Sequence, residues 1–223
     1  MKIIARIRSE FPTKFGIPRQ SGLVPQTRAT VVFEPEYRNP DALRGIEGFS
    51  HLWLIWEFSE AVRTDWSPTV RPPRLGGNAR LGVFATRSPF RPNPVGLSCV
   101  RLEGVEKTAR EGTVLLVSGA DLMDGTPIFD IKPYLPYADA RPEATGGFTE
   151  HAGDFLLKVE LPAELEAKIP ADHRASLRGV LSHDPRPSYQ ADGGRVYAMR
   201  FLEFDVRFTV ADGVLTVREI EPA

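Results

Sequence analysis

Alternating apolar and polar residues predict a series of short strands in the first 140 residues. The alternation is clear at 2–8 and at 28–34, and a loop rich in turn-forming residues joins them at 14–25. Residues 50–58 are apolar in both registers, which predicts a central strand covered on both faces. Further strands are predicted at 79–86, 95–103, 113–119 and 127–132.

These strands follow one another closely, with few helical segments between them. The chain of 223 residues also contains 20 prolines and 19 glycines, an excess that disfavours a helical bundle. The pattern therefore predicts a mainly β fold for residues 1–140, either a small antiparallel barrel or a sandwich.

The pattern changes after about residue 140. A segment rich in Ala, Gly and Pro, 138–153, has the composition of a linker. A strand is predicted at 154–161, followed by a helical stretch at 162–182 that Pro170 should split in two. The chain is predicted to end in a small α+β domain, 150–223, with three more strands at 195–201, 203–210 and 214–220.

A membrane helix, a disulfide and a metal cluster are not expected from the composition. No apolar run approaches the ~20 residues that span a bilayer, and the first residues lack the apolar core of a signal peptide. Cys99 is the single cysteine, and the four histidines lack the spacing of metal ligands. We expect a cytoplasmic protein without a bound metal.

The formal net charge of −1 conceals two basic segments. Residues 1–33 carry six basic residues and one acid, and residues 71–101 carry six arginines and no acid. If the two segments meet in the fold, they form a basic face suited to phosphate or another anion. Alternatively, each arginine pairs with a carboxylate of the acidic remainder.

Common cofactor and catalytic signatures are absent from the sequence. No GxGxxG motif follows a predicted strand, and no Walker phosphate loop or HExxH motif is present. A Rossmann-type nucleotide site is therefore not expected.

Three other segments contain several polar side chains that are candidates for ligand binding or catalysis. Prolines stiffen the backbone that presents Arg87, Arg91 and Asn93, so these side chains are preorganised for a ligand. The turn at 121–127 combines backbone donors with a carboxylate. The extended segment after it alternates Asp130, Lys132 and Tyr134 along one side. Each segment is also compatible with a purely structural turn or a surface ion pair.

These segments closely resemble the TsaA-like (YaeB, TrmO) proteins. The resemblance covers nearly the whole chain in order, at 14–20 (KFGIPRQ), 44–53 (RGIEGFSHLW), 70–78 (VRPPRLGGN), 86–96 (TRSPFRPNPVG), 121–137 (DLMDGTPIFDIKPYLPY) and 184–189 (DPRPSY). It implies a small antiparallel β-barrel with a C-terminal domain, unlike Rossmann methyltransferases. It also implies a homodimer that uses S-adenosylmethionine to methylate the exocyclic N6 of threonylcarbamoyladenosine, next to the anticodon of tRNA.

The resemblance carries over a set of cofactor contacts residue by residue. The contacts fall on Pro18, Arg19, Gln20, Arg87, Leu97, Leu122, Met123, Asp124 and Gly125. One further contact follows the central strand, where many relatives have His-Gln and this chain has Ser59 and Glu60. The sequence therefore departs from the family pattern at that wall of the pocket.

Substrate and catalytic residues are predicted from their chemistry. Planar guanidinium groups suit both a carboxylate and RNA phosphates, so Arg74 and Arg91 are expected to face the tRNA anticodon loop. For the methyl transfer, the predicted side chains are Asp130 and Asn93 as hydrogen-bond acceptors, Lys132 to hold a carboxylate or lower a neighbouring pKa, and Tyr134 to stack or donate.

Two other functions remain open from the residues. A non-catalytic nucleic-acid-binding barrel needs the basic face but no cofactor, and a small-molecule anion binder needs only Arg87 and Arg91. Cofactor calorimetry separates the methyltransferase from both, and salt-dependent binding of tRNA separates the remaining two.

Overall fold

The fold is taken from a computed structural model, which describes residues 1–62, 65–72, 79–150, 156–186 and 194–223. The predicted substrate residue Arg74 lies outside the described residues. The strands of the described residues are β1 (Ala5–Ser9), β2 (Arg28–Phe33), β3 (His51–Glu57), β4 (Thr69–Val70), β5 (Leu81–Gly82), β6 (Val95–Thr108), β7 (Gly112–Ser118), β8 (Pro127–Pro133), β9 (Lys158–Glu160), β10 (Tyr197–Phe201), β11 (Phe204–Ala211) and β12 (Val214–Pro222).

Helices are short in the described part of the chain. The α-helices are α1 (Pro136–Asp139), α2 (Ala163–Glu166) and α3 (Arg174–Ser182). Single 3₁₀ turns lie at Pro35–Tyr37, Pro40–Leu43, Ile46–Gly48, Ser59–Ala61, Val83–Ala85, Gly147–Thr149 and Ala171–His173. None of the described helices is long and apolar enough to cross a membrane.

Six strands close into an antiparallel barrel in the order β1-β2-β7-β6-β3-β8. Alternate residues of each strand point inward, so that Ile7, Val31, Leu54, Leu115 and Ile128 are fully buried in one apolar cluster. The predicted mainly β fold with an antiparallel barrel and a C-terminal α+β region is confirmed.

Two details of the barrel differ from the prediction. The strand predicted at 79–86 is limited to Leu81–Gly82, because the chain then turns into a 3₁₀ helix in which the Val83 carbonyl accepts from Thr86 N. Strand β3 is covered on one face only: Leu52 and Leu54 are buried, whereas the outward-facing residues are half exposed. A barrel has a single interior, so its outer wall meets solvent unless another molecule covers it.

The C-terminal residues form a separate sheet in the order β10-β11-β12-β9, in which only β9 runs parallel to its neighbour. Helix α3 packs on this sheet through Leu177 and Leu181. The predicted interruption of the helical stretch at Pro170 is confirmed, because Pro170 precedes the 3₁₀ turn before α3.

The hydrophobic core of this C-terminal part also includes residues from the loop after β1. Phe11 and Val24 are 1% exposed and belong to the same buried cluster as Met199, and Ile17 packs against that cluster. Gly179 of α3 is also close to the loop, since a Cβ there would lie 2.6 Å from Val24 Cγ1. The division into 1–140 and 150–223 stays a prediction, but a shared core joins the two parts.

Candidate active site

A cavity of about 660 Å³ opens where β3 ends and β6 begins. Three further segments enclose it, the loop at 17–20, the proline-stiffened segment 87–93 and residues 121–126. Ligand sites of small molecules commonly have this volume and this mixture of apolar and polar walls.

Trp56 and Asp121 form a polar floor of the cavity, and the fully buried Ser98 links them. Trp56 Nε1 donates to Ser98 Oγ at 2.9 Å, and Ser98 Oγ donates to Asp121 Oδ1 at 2.5 Å. Gly96 makes room for the indole, because a Cβ there would lie 2.3 Å from the Trp56 ring. The β3–β6 register, which pairs Trp56 with Gly96, therefore fixes where the Asp121 carboxylate sits.

Burial raises the pKa of Asp121 above its ordinary value of 3.8. The hydrogen bond from Ser98 and the nearby Arg87 guanidinium oppose this rise in pKa without cancelling it. A carboxylate that is costly to ionise gains from a cationic ligand, because the ligand replaces the lost hydration of the charge.

The loop that contains Pro18 reaches the cavity from the other side. Arg87 Nη1 donates to Gln20 Oε1, so one predicted cofactor residue holds another. Arg19 donates to the backbone carbonyls of Asp184 and Arg186 at 3.3 and 3.2 Å. The loop is therefore held by the barrel and by the C-terminal part together.

The cavity wall carries both signs of charge. Its basic side chains are Lys14, Arg19, Arg87 and Arg91, and its acidic side chains are Glu57, Glu60 and Asp121. The two basic segments of the sequence meet here, but the wall on which they meet also carries carboxylates. Folding brings carboxylates from β3, the 3₁₀ turn after it and the 121–126 segment to the same wall, which a count along the sequence does not reveal.

Most of the predicted cofactor residues lie on this wall. The cavity is lined by Pro18, Arg19, Gln20, Ser59, Glu60, Arg87, Leu97 and Met123. The departure of Ser59 and Glu60 from the family pattern therefore falls on the cavity wall, where it changes the local charge.

The other three predicted cofactor residues, Leu122, Asp124 and Gly125, do not line the cavity. Leu122 is fully buried in the barrel core. Asp124 Oδ1 accepts from Ser9 N at 3.0 Å, and Gly125 N donates to the Ile7 carbonyl at 2.8 Å. Asp124 N and Gly125 N thus donate to the first strand and the residues after it.

Asp121 was missed as a candidate, although it begins the motif that contains these residues. Alternation offers a signal for it, because a buried Leu122 leaves its neighbours Asp121 and Met123 on the opposite side of an extended chain.

The predicted catalytic residues separate into two places. Asn93 lines the cavity, as does the predicted substrate residue Arg91. Asp130 and Lys132 lie on the outer face of β8, where Lys132 Nζ is 3.0 Å from Asp130 Oδ2. Tyr134 packs near the Trp53 ring on the same outer face, with ring centroids 5.7 Å apart.

The register gives the distance between the two places. Asp130 pairs with Ile55 of β3, and Ile55 pairs with Leu97 of β6 at the cavity. Two strand spacings, about 10 Å, therefore separate Asp130 from Leu97. Within one chain, Asp130, Lys132 and Tyr134 do not reach the cavity wall.

No group of three or more metal-ligating side chains occurs in the described part of the chain.

Comparison with known proteins gives similarities over both parts of the chain. The family model of the tRNA-methyltransferase O N-terminal domain matches residues 6–140, and that of the TrmO C-terminal domain matches residues 154–223. An Escherichia coli K12 protein named tRNA (adenine(37)-N6)-methyltransferase is 42% identical over 227 residues, covering 98% of this chain and 96% of that protein.

A Pseudomonas aeruginosa protein named putative S-adenosylmethionine-dependent methyltransferase RcsF is 44% identical over 214 residues, covering 92% of this chain and 90% of that protein. The crystal structure of TrmO from Pseudomonas aeruginosa matches with a TM-score of 0.78 at 36% identity, covering 98% of this chain and 97% of that one. Sequence and fold therefore agree over nearly the whole chain.

Proposed function

The chain belongs to the TrmO family, and on this premise we propose that it transfers a methyl group from S-adenosylmethionine to N6 of adenine 37 in tRNA. The main support for this proposal is that the cavity wall contains both acidic and basic side chains, with Asp121 at its floor and Arg87 beside it. Two relatives, from Escherichia coli K12 and Eikenella corrodens, bear the corresponding activity in their names.

The residues present fit this cofactor. Its methionine end carries an ammonium, a carboxylate and a sulfonium, so it needs acids and bases together in one pocket. Asp121 and Glu60 suit the cationic groups, whereas Arg87 and Lys14 suit the carboxylate. Phe58 and Phe90 on the same wall provide aromatic faces for the adenine.

When bound, S-adenosylmethionine supplies a methyl group activated by a positive sulfur. The protein's task is then chiefly alignment, since an in-line displacement needs the acceptor nitrogen at a fixed position and angle. That nitrogen is a weak nucleophile because its lone pair is delocalised. Asn93 lines the cavity, and we assign its amide oxygen to accept the hydrogen bond of the reacting amine.

We propose that the adenosine methylated at position 37 is threonylcarbamoyladenosine. Its threonyl carboxylate adds a negative charge to the nucleoside, and a bidentate guanidinium suits that charge. Arg91 supports this substrate because it lines the cavity. Its Nη1 donates to the Thr86 carbonyl at 3.3 Å, and this hydrogen bond fixes the orientation of the guanidinium group.

A homodimer would complete the site. Leu97 is 55% exposed, lines the cavity and shares the outer barrel face with the half-buried Ile55 and Trp53. A second copy packed on this face would bury it and close the cavity. Asp130 and Lys132 lie on the same outer face of the barrel, and we propose that they act across this interface, since they do not reach the cavity of their own chain. A tRNA substrate supports a cytoplasmic location for the proposed homodimer.

The test is methylation of tRNA with and without the threonylcarbamoyl group, followed by mass spectrometry of the nucleosides. We expect methylation of modified tRNA only, at position 37. Transfer to neither substrate, or tRNA binding without any cofactor binding, would support the non-catalytic RNA-binding barrel instead. Sedimentation at micromolar concentration tests the dimer, which a monomer with normal cofactor affinity contradicts.

Asp130→Asn tests whether the outer face takes part in the reaction. We expect the methylation rate to fall at least ~10-fold, equivalent to roughly 1.4 kcal/mol in the barrier, with cofactor affinity unchanged because Asp130 lies off the cavity. A folded variant that methylates at the normal rate restricts Asp130 to its ion pair with Lys132.

A further inference from the structure

Two exposed aromatic side chains contact each other on the segment that leads into the cavity. Trp66 is 51% exposed and Phe84 is 72% exposed. Their ring centroids are 6.1 Å apart, and their planes are inclined by 30°. Neither ring lines the cavity, so the cofactor site leaves the pair unexplained.

The backbone holds this pair in place. Strands β4 and β5 form a hairpin in which Thr69 pairs with Gly82. Val83 N donates to the Pro68 carbonyl at 2.9 Å, and the Val83 side chain is 1% exposed. Trp66 and Phe84 therefore stand on an anchored frame with their rings directed to solvent.

The same hairpin carries positive charge. Arg71 follows Val70 and Arg80 precedes Leu81, and Val70 and Leu81 are paired, so the two arginines lie side by side. Both are exposed. Three residues beyond Phe84, Arg87 lines the cavity, which makes the hairpin a continuous extension of the cavity rim.

We infer that Trp66 and Phe84 form a stacking platform for an unpaired nucleobase of the RNA, with Arg71 and Arg80 on the adjoining phosphates. This inference rests on the proposed function, since it concerns how the same site holds tRNA. Aromatic rings interleaved with arginines are the usual surface for single-stranded nucleic acid, because any base can stack and every nucleotide carries a phosphate. A second copy that packed this same face against itself would bring the same arginines against each other, so the face suits RNA better.

The experiment measures the affinity of an anticodon stem-loop RNA that carries the fluorescent base 2-aminopurine in its loop. Phe84→Leu and Trp66→Leu keep apolar volume but remove the ring, so each should weaken RNA binding about 5-fold or more, with weaker quenching of the probe. Phe84→Tyr keeps a ring and should bind like the wild type. Phe148→Leu, at an aromatic residue 39% exposed outside the hairpin, is the matched control. Cofactor affinity should be the same in all variants.

The outcomes separate this inference from the proposed function. If the wild type methylates tRNA and both leucine variants bind RNA normally, only the platform is wrong. If the leucine variants dissociate a dimer while RNA affinity stays normal, the face belongs to a second copy and the platform is again wrong. If the wild type neither binds nor methylates tRNA, both proposals fail.

Discussion

At the scale of single residues, Asp121 determines how the cavity responds to charge and pH. Asp121→Asn removes the carboxylate but can still accept the Ser98 hydrogen bond. We expect about 10-fold weaker binding of S-adenosylmethionine by calorimetry, because the cationic groups lose their buried partner. In the wild type, cofactor affinity should rise as pH rises through the elevated pKa of Asp121, since the ligand favours the ionised form. The variant should lack this dependence.

Thermal stability gives Asp121 an independent readout. Because its pKa is raised in the folded state, its contribution to stability is fully present below pH 3.8 and is lost as pH rises through the folded pKa. The ligand-free Asp121→Asn protein should therefore be no less stable than the wild type at neutral pH. Asp41→Asn, at an exposed carboxylate paired with Arg44, should leave affinity and its pH profile unchanged. Weak binding together with a large loss of stability would indicate misfolding and contradict the assignment.

At the scale of elements, the pairing of β3 with β6 builds the floor of the site. Gly96→Ala would place a Cβ 2.3 Å from the Trp56 ring, so the indole must move and its hydrogen bond to Ser98 should break. We expect a loss of about 1–3 kcal/mol in stability by thermal denaturation, together with weaker cofactor binding. Gly104→Ala on the same strand is the control, because nothing lies within 4 Å of its added Cβ. Equal losses in both variants would mean that an added methyl group anywhere on β6 is destabilising, and that contact with Trp56 is not the cause.

The elements themselves were largely predictable, but the contacts between them were not. Alternation predicted the barrel strands because each buries every second residue, as Ala5 and Ile7 do. It failed at Val83–Ala85, since an apolar run has the same pattern whether it extends or turns. The surrounding prolines identified Arg87 as a preorganised side chain, whereas Pro18 was assigned to the cofactor by the family resemblance. The floor of the cavity depends on the register between distant strands, which no local pattern contains.

At the scale of the whole molecule, the C-terminal part supports the cofactor loop from behind. Gly16 has φ +101°, and a Cβ there would lie 3.1 Å from Met199 Cε of β10. Arg19 is bonded to carbonyls of the C-terminal part, and His173 Nδ1 lies 2.5 Å from the buried Glu10 Oε1. We therefore expect the conformation of Pro18–Gln20 at the cavity to depend on a sheet whose described residues do not line the cavity.

Met199→Ala tests this dependence, because Met199 is 2% exposed and does not line the cavity. The substitution leaves a void under the loop, and we expect a loss of about 2–5 kcal/mol in stability with several-fold weaker binding of S-adenosylmethionine by the folded protein. Ile220→Ala in the same sheet, at a fully buried residue, should cost similar stability but leave affinity unchanged. If both variants bind the cofactor like the wild type at a temperature where they are folded, the barrel alone shapes the loop. If only Met199→Ala binds weakly, the C-terminal sheet shapes the cofactor site indirectly, by supporting the loop that lines it.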